Sequence, residues 1–199
     1  MSFHDGEIIA RKLEKLGFEY LEGQDERCPD AQLVIFTTCA VRGHAEERLY
    51  SRVQNLKNIK QERKMLIGVG GCLSQKEQNH MLEKLPIVDF IFGTQAVKRI
   101  DRIVEEVIET GKAFDEEWFL EGDYVPRMDE GTEVSGLKAW VSIMKGCDNY
   151  CAYCIVPYVR GREYSREPRD VIKEVTELVQ GGVKEVMLLG QNVNSYGIK

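Results

Sequence analysis

The sequence predicts an α/β protein built on parallel sheets, and three observations predict it. Short apolar runs of buried-strand type alternate with longer segments of helical periodicity. Two of those runs end directly in a cysteine that opens a helix. A third runs into a loop with three cysteines inside eight residues, and a helix and another apolar run follow it. Alternation of this kind gives a doubly wound parallel sheet, whose strand ends collect on one edge, where sites in such folds form.

Each element follows in order. Asp5 to Leu16 reads as an amphipathic helix, with Ile8, Ile9, Leu13 and Leu16 inward and Gly17 as its stop. Leu33 to Phe36 is a buried strand ending at Thr37-Thr38-Cys39. Glu46 to about Ile59 is helical. Met65 to Val69 is a second buried strand, ending at Gly70-Gly71-Cys72, and Gln75 to Leu85 is the helix after it. Phe90 to Phe92 is a third strand and Ala96 to Thr110 a further helix. In a parallel sheet Cys39 and Cys72 fall on the same edge although 33 positions apart. They read equally well as buried core thiols. Gly68, Gly70 and Gly71 are expected to let the backbone approach a bulky ligand. Gly111 to Gly136 is acidic, carries Pro126 and lacks periodicity, which fits either a linker or a face-covering crossing. Lys138 to Met144 is a strand, Arg169 to Gln180 a helix with Val171, Ile172, Val175, Leu178 and Val179 on its apolar face, and Val186 to Leu189 a strand that runs into Gly190-Gln191-Asn192.

The loop Gly146-Cys147-Asp148-Asn149-Tyr150-Cys151-Ala152-Tyr153-Cys154 carries the most chemistry. Clustered thiolates are soft ligands suited to zinc or iron–sulfur clusters. A cubane takes four protein ligands when fully held, so three leave one iron open, and an open position at a metal is where a substrate binds. A structural zinc knuckle is the competing reading, but it closes with a fourth nearby ligand, and the nearest histidine in sequence is His80. His4, His44 and His80 are isolated in sequence and read as surface or satisfied histidines. Cys28 sits in a polar turn before a strand and reads as incidental.

Composition excludes some classes. The longest near-apolar run, Met65 to Leu73, is far too short to span a bilayer, and no basic-then-apolar leader opens the chain. Six cysteines without an export signal read as reduced ligands in a cytoplasmic protein rather than disulfides. The net charge of −6 argues against a nucleic-acid partner, but the signs are segregated. Asp115 to Glu133 holds eight acidic residues and one basic, whereas Arg42 to Lys64 holds seven basic and three acidic. Arg160, Arg162, Arg166 and Arg169 form a second basic cluster. Both clusters are candidate phosphate contacts.

The Cys147, Cys151, Cys154 spacing, with Tyr153 before the last cysteine, resembles the radical S-adenosylmethionine (SAM) motif. The flanking Ile155-Val156-Pro157-Tyr158-Val159-Arg160-Gly161 is similar to the methylthiotransferase branch of that superfamily, as are Thr37-Thr38-Cys39-Ala40-Val41-Arg42 and Val69-Gly70-Gly71-Cys72-Leu73-Ser74-Gln75.

The resemblance implies a flavodoxin-like N-terminal domain over residues 1–110, an acidic linker over 111–136, and over 137–199 the start of a radical SAM partial (β/α)6 barrel. It also implies that the 199 residues are an N-terminal fragment, without the first strand and the first of three auxiliary cysteines. Cys147, Cys151 and Cys154 would hold one [4Fe–4S] cluster and bind SAM at its open iron. Cys39 and Cys72 would be two ligands of an auxiliary cluster, making two clusters in the intact protein. Tyr153 would lie by the SAM adenine, and Gln191 and Asn192 are candidates for the methionyl end, or else turn-forming residues. The implied partners are the anticodon loop of tRNA and an electron donor such as flavodoxin or ferredoxin, with the protein a monomer and no membrane involved. Two segments, Ala40-Val41-Arg42 and Gly190-Gln191-Asn192-Val193, resemble the branch that methylthiolates N6-isopentenyladenosine at position 37 of tRNA. The alternatives are threonylcarbamoyladenosine tRNA, ribosomal protein S12, or a non-enzymatic iron–sulfur or zinc module.

Overall fold

A computed structural model describes residues 2–21, 30–40, 43–114 and 137–198. Cys28, Val41, Arg42 and most of the acidic segment lie outside the described residues. The chain divides into two compact units. One comprises Lys12–Leu120, and the other comprises Phe3–Arg11 together with Glu121–Lys199.

In the first unit, strands β1 (Leu33–Thr38), β2 (Leu66–Gly71), β3 (Phe90–Phe92) and β4 (Ala113–Phe114) form one parallel sheet in the order β1-β2-β3-β4. That order has no reversal, so the switch point of a doubly wound sheet is not among the described strands. Strand β4 falls inside the stretch expected to be linker. Side chains alternate across β2. Ile67 and Val69 join Leu49, Val53, Leu56, Leu73, Met81, Leu85 and Ile91 in one buried cluster. Each such side chain contributes about 1.5–3 kcal/mol when fully buried. On the other face the rings of Phe90 and Phe92 lie over Gly68 and Gly70, so closely that a Cβ there would sit 2.2 and 2.1 Å from them. These two glycines make room for aromatic rings of the sheet's own core, not for a bulky ligand as the sequence suggested.

Helix α1 (Ser2–Lys15) precedes the sheet. Helices α2 (Gly43–Asn55) and α3 (Lys57–Glu62) fill the β1–β2 crossover. Between β2 and β3 the single expected helix is two short ones, α4 (Cys72–Glu77) and α5 (His80–Lys84), because Gln78 takes a left-handed backbone, φ 49°, that breaks the helical ladder. The break lets Met81 and Leu85 turn into the core beside Leu73. A 3-10 turn, Ala96–Arg99, leads into α6 (Ile100–Thr110), which ends at Gly111 with φ 82°, a left-handed C-terminal cap.

In the second unit β5 (Lys138–Ser142) pairs in parallel with β8 (Glu185–Leu189), Ser142 lying opposite Leu189. The expected strand Lys138 to Met144 is interrupted at Ile143. There the N–H of Ile143 donates to the Leu189 carbonyl, and its own carbonyl accepts from Arg166. The chain then changes partner: β6 (Met144–Lys145) pairs antiparallel with β7 (Tyr164–Ser165). Between them lie the thiol loop and a short helix α7 (Val156–Arg160). Helix α8 (Pro168–Gln180) starts on proline, which suits a first helical position. Its Val171 and Leu178 are buried, but Ile172 and Val179 are exposed, narrower than the apolar face read from sequence. Buried Glu174 takes the remaining core-facing place, with Arg166 Nη1 at 2.6 Å from its carboxylate.

Candidate metal centre

Parallel pairing of β5 and β8 brings the segments that follow them to one sheet edge. The thiol loop leaves β5 through Met144, and Gln191 and Asn192 leave β8 through Gly190. A Cβ on Gly190 would lie 2.5 Å from the Met144 side chain, so the two exits pack directly on each other. Gln191 and Asn192 are half-buried. The Asn192 carbonyl accepts from the Ser195 N–H and hydroxyl, closing a short turn.

The loop is shaped by its base. Gly146 has φ 70°, and a Cβ there would fall 2.0 Å from the Arg162 carbonyl oxygen. Only glycine allows both the left-handed turn and that approach. The Cys147 N–H donates to the Gly161 carbonyl at 3.3 Å, pinning the first thiol's backbone to the segment after α7. Asp148 closes the other side: its carboxylate accepts from the Glu163 N–H at 3.0 Å and from Arg162 Nη2 at 3.1 Å. The same carboxylate holds the Arg162 guanidinium above its usual pKa. Tyr150 has a left-handed backbone, φ 46°, and its ring meets Tyr158 edge-on with centroids 6.0 Å apart. The Cys154 N–H donates to the Cys151 carbonyl at 2.9 Å, a tight turn that sets the last two thiols close in the chain.

All three loop thiols are free. Cys147 is buried, Cys154 half-buried and Cys151 exposed. Tyr153 is 92% exposed, so it is not a core aromatic. Among the described residues no three His, Cys, Asp or Glu side chains converge into a metal cage. The donor set still fits an iron–sulfur cluster in kind and number: three soft, unpaired thiols on a single loop at a strand end.

The other two candidate thiols lie in the first unit. Register pairs Thr38 with Gly71, so Cys39 and Cys72 each follow by one residue at neighbouring strand ends. A Cβ on Gly71 would sit 2.5 Å from the Thr38 carbonyl oxygen, and its φ is 101°. Cys72 is buried at the start of α4 and Cys39 is half-buried; neither is in a disulfide. Nearby, the Gln75 side-chain oxygen accepts from the Thr94 N–H at 3.1 Å, tying α4 to the segment after β3.

Two expectations about charge change. Arg160 and Arg166 are buried in ion pairs, with Asp5 at 2.8 Å and with Glu174, so they do not offer themselves to phosphate. Arg162 and Arg169 are the exposed members of that cluster. His44 and His80 are exposed as expected, but His4 is fully buried with no hydrogen-bond partner on either ring nitrogen. Sequence reasoning missed Asp5, Gly146 and Asp148. The positive-φ demand at Gly146 was the one signal available, a glycine directly before the first thiol.

The chain is similar to known proteins over nearly all of its length. The model of the uncharacterized protein family UPF0004 matches residues 1–93, and that of the Radical SAM superfamily matches residues 141–197. A tRNA-2-methylthio-N(6)-dimethylallyladenosine synthase of Carboxydothermus hydrogenoformans is 46% identical over 99% of this chain and 44% of its own length. The protein of the same name from Staphylococcus aureus (strain Newman) is 45% identical over 99% of this chain and 38% of its own. Among solved structures, the radical S-adenosylmethionine methyltransferase TsrM from Kitasatospora setae shares the fold at a TM-score of 0.62 and 14% identity, over 96% of this chain and 45% of that one. The chain thus carries a segment similar to UPF0004 followed by a segment similar to the Radical SAM superfamily. It spans about two fifths of the length of the curated relatives it matches.

Proposed function

We propose that this chain is part of an enzyme that methylthiolates N6-isopentenyladenosine at position 37 of tRNA. One observation carries the reading: the three-thiol loop stands intact in a chain 46% identical, over 99% of its residues, to a relative named for that product. The first unit is read as a flavodoxin-like domain within residues 1–110, joined through 111–136 to the start of a partial (β/α)6 barrel at 137–199.

In this reading Cys147, Cys151 and Cys154 hold a [4Fe–4S] cluster that binds SAM. The bound pair supplies reductive cleavage of a carbon–sulfur bond, a step that belongs to the cofactor rather than the protein. The chain's part is to bind and orient. Gly146 and the Gly161 carbonyl fix Cys147 at the loop base, while exposed Cys151 and Tyr153 face outward, where a small molecule has access. Gln191 and Asn192 offer polar atoms at the same sheet edge. Cys39 and Cys72 are two thiols for an auxiliary cluster associated with sulfur insertion. Arg162 and Arg169 are exposed cations suited to RNA phosphate. No helix among the described residues is long and apolar enough to cross a membrane. The reading is of a cytoplasmic monomer served by a flavodoxin- or ferredoxin-type electron donor.

The test is anaerobic reconstitution of the whole protein with iron and sulfide, then SAM and reductant, together with nucleoside analysis of tRNA from cells lacking the gene. The reading expects 5′-deoxyadenosine from the protein and loss of the 2-methylthio group from isopentenyladenosine in the tRNA. A protein that binds zinc and leaves SAM intact would remove it.

A further inference from the structure

The second unit contains a buried ion pair that joins its sequence-distant ends. Arg160 Nη2 donates to Asp5 Oδ2 at 2.8 Å, with both side chains under a tenth exposed. Asp5 belongs to the part of α1 that packs within this unit. Arg160 is the last residue of α7, and Gly161 follows it. The Gly161 carbonyl accepts the Cys147 N–H, and Gly146 lies so close that a Cβ there would meet the Gly161 and Arg162 carbonyls at 2.5 and 2.0 Å. The chain of contact therefore runs from the Asp5 carboxylate to Arg160, to the Gly161 backbone, to Cys147. His4, the neighbour of Asp5 in α1, is fully buried as well.

We propose that Asp5 is a positioning residue for the thiol loop, acting through Arg160 to keep Cys147 buried and in register. A buried guanidinium that loses its carboxylate is strongly destabilised and moves toward water. Arg160 is the last residue of α7 and precedes Gly161, so a shift of Arg160 carries the Gly161 carbonyl away from Cys147. The inference rests on the reading of Cys147 as a cluster ligand for its functional meaning, but its structural content does not.

The test is thiol alkylation in the whole protein prepared without metal. Iodoacetamide pulses are followed by mass spectrometry of each cysteine. In the parent protein Cys151 reacts fast, whereas Cys147 and Cys72 are protected by burial. In Asp5→Asn, Cys147 is expected to react at least about tenfold faster while Cys72, buried in the other unit, keeps its rate. An unchanged Cys147 rate overturns the inference. A rise at Cys147 and Cys72 together means general loosening and also overturns it, unless Asp5→Asn simply fails to fold. In that case Arg160→Lys decides, since it keeps the charge and loses the guanidinium fork. A rise of a few fold at Cys147 alone supports the proposal, and no rise overturns it. Iron and sulfide analysis of the reconstituted parent protein tests the metal centre separately: a parent that binds no iron sinks the cluster and leaves the alkylation result standing.

Discussion

The two sets of candidate thiols differ in how the fold supplies them. Cys147, Cys151 and Cys154 sit on one loop, and their spacing is a property of the local chain. Cys39 and Cys72 come from different strands, and only the register of β1 against β2 sets them at neighbouring ends. A local ligand set survives as long as its loop keeps its shape. A set assembled by register depends on the whole sheet, since a slip of one residue turns a side chain to the opposite face. The loop is accordingly held by near contacts at Gly146, Cys147 and Asp148, and the sheet edge by the close approach of Gly71 to Thr38.

The largest expected effect separates the two sets by chemistry. Cys151→Ala in the whole protein should lower 5′-deoxyadenosine formation by about a thousandfold or more, because the cluster loses one of three protein ligands. Cys39→Ala should leave SAM cleavage within about twofold and abolish methylthiolation, measured as 2-methylthio nucleoside in tRNA. If both variants failed in the same way, the division of labour would be wrong.

Glycine substitutions come next. Gly71→Ala should cost about 2–4 kcal/mol in thermal or denaturant unfolding, since it adds left-handed strain to a clash with backbone. Gly146→Ala should cost a similar amount, about 2–4 kcal/mol, and should also reduce iron bound at the loop; Gly71→Ala should leave the loop's iron unchanged. Equal iron loss in both would mean that the loop is not a locally held set.

The smallest effect concerns α4, the helix that begins at Cys72. Lys84 and then Lys76 donate to Glu77 and hold its carboxyl below the usual range. A carboxyl lowered on folding stabilises above its unfolded pKa and loses that contribution as pH falls through the folded one. Glu77→Gln should therefore lower the unfolding midpoint at pH 7 by about 2 °C or less, a difference that vanishes well below about pH 4. A midpoint difference that persists at low pH would assign the effect to packing.

Much of the fold was legible because parallel strands announce themselves as short apolar runs: Leu33 to Phe36 and Phe90 to Phe92 lie wholly in strands, and Met65 to Val69 does so from Leu66 on, although Leu33 to Phe36 is half-buried rather than buried. Strand β4 was not, since two residues inside an acidic stretch carry no period. The broken helix at Gln78 was hidden because a left-handed glutamine has no sequence marker, and Arg160 read as a surface cation because its partner Asp5 lies 155 positions away. The loop cysteines were legible from spacing alone. What surrounds them was less so: Gly146 left one signal, a glycine directly before the first thiol, and Asp148 acts through a carboxylate whose partners, Arg162 and the Glu163 N–H, lie across the loop where spacing does not show them.

The most direct measurement is iron, labile sulfide and SAM cleavage in the whole protein carrying Cys39→Ala and Cys72→Ala together, reconstituted without air. The loop thiols should still bind about four irons and four sulfides and still yield 5′-deoxyadenosine. A variant that bound no iron, or bound it without cleaving SAM while the parent cleaved it, would contradict an independent cluster on Cys147, Cys151 and Cys154.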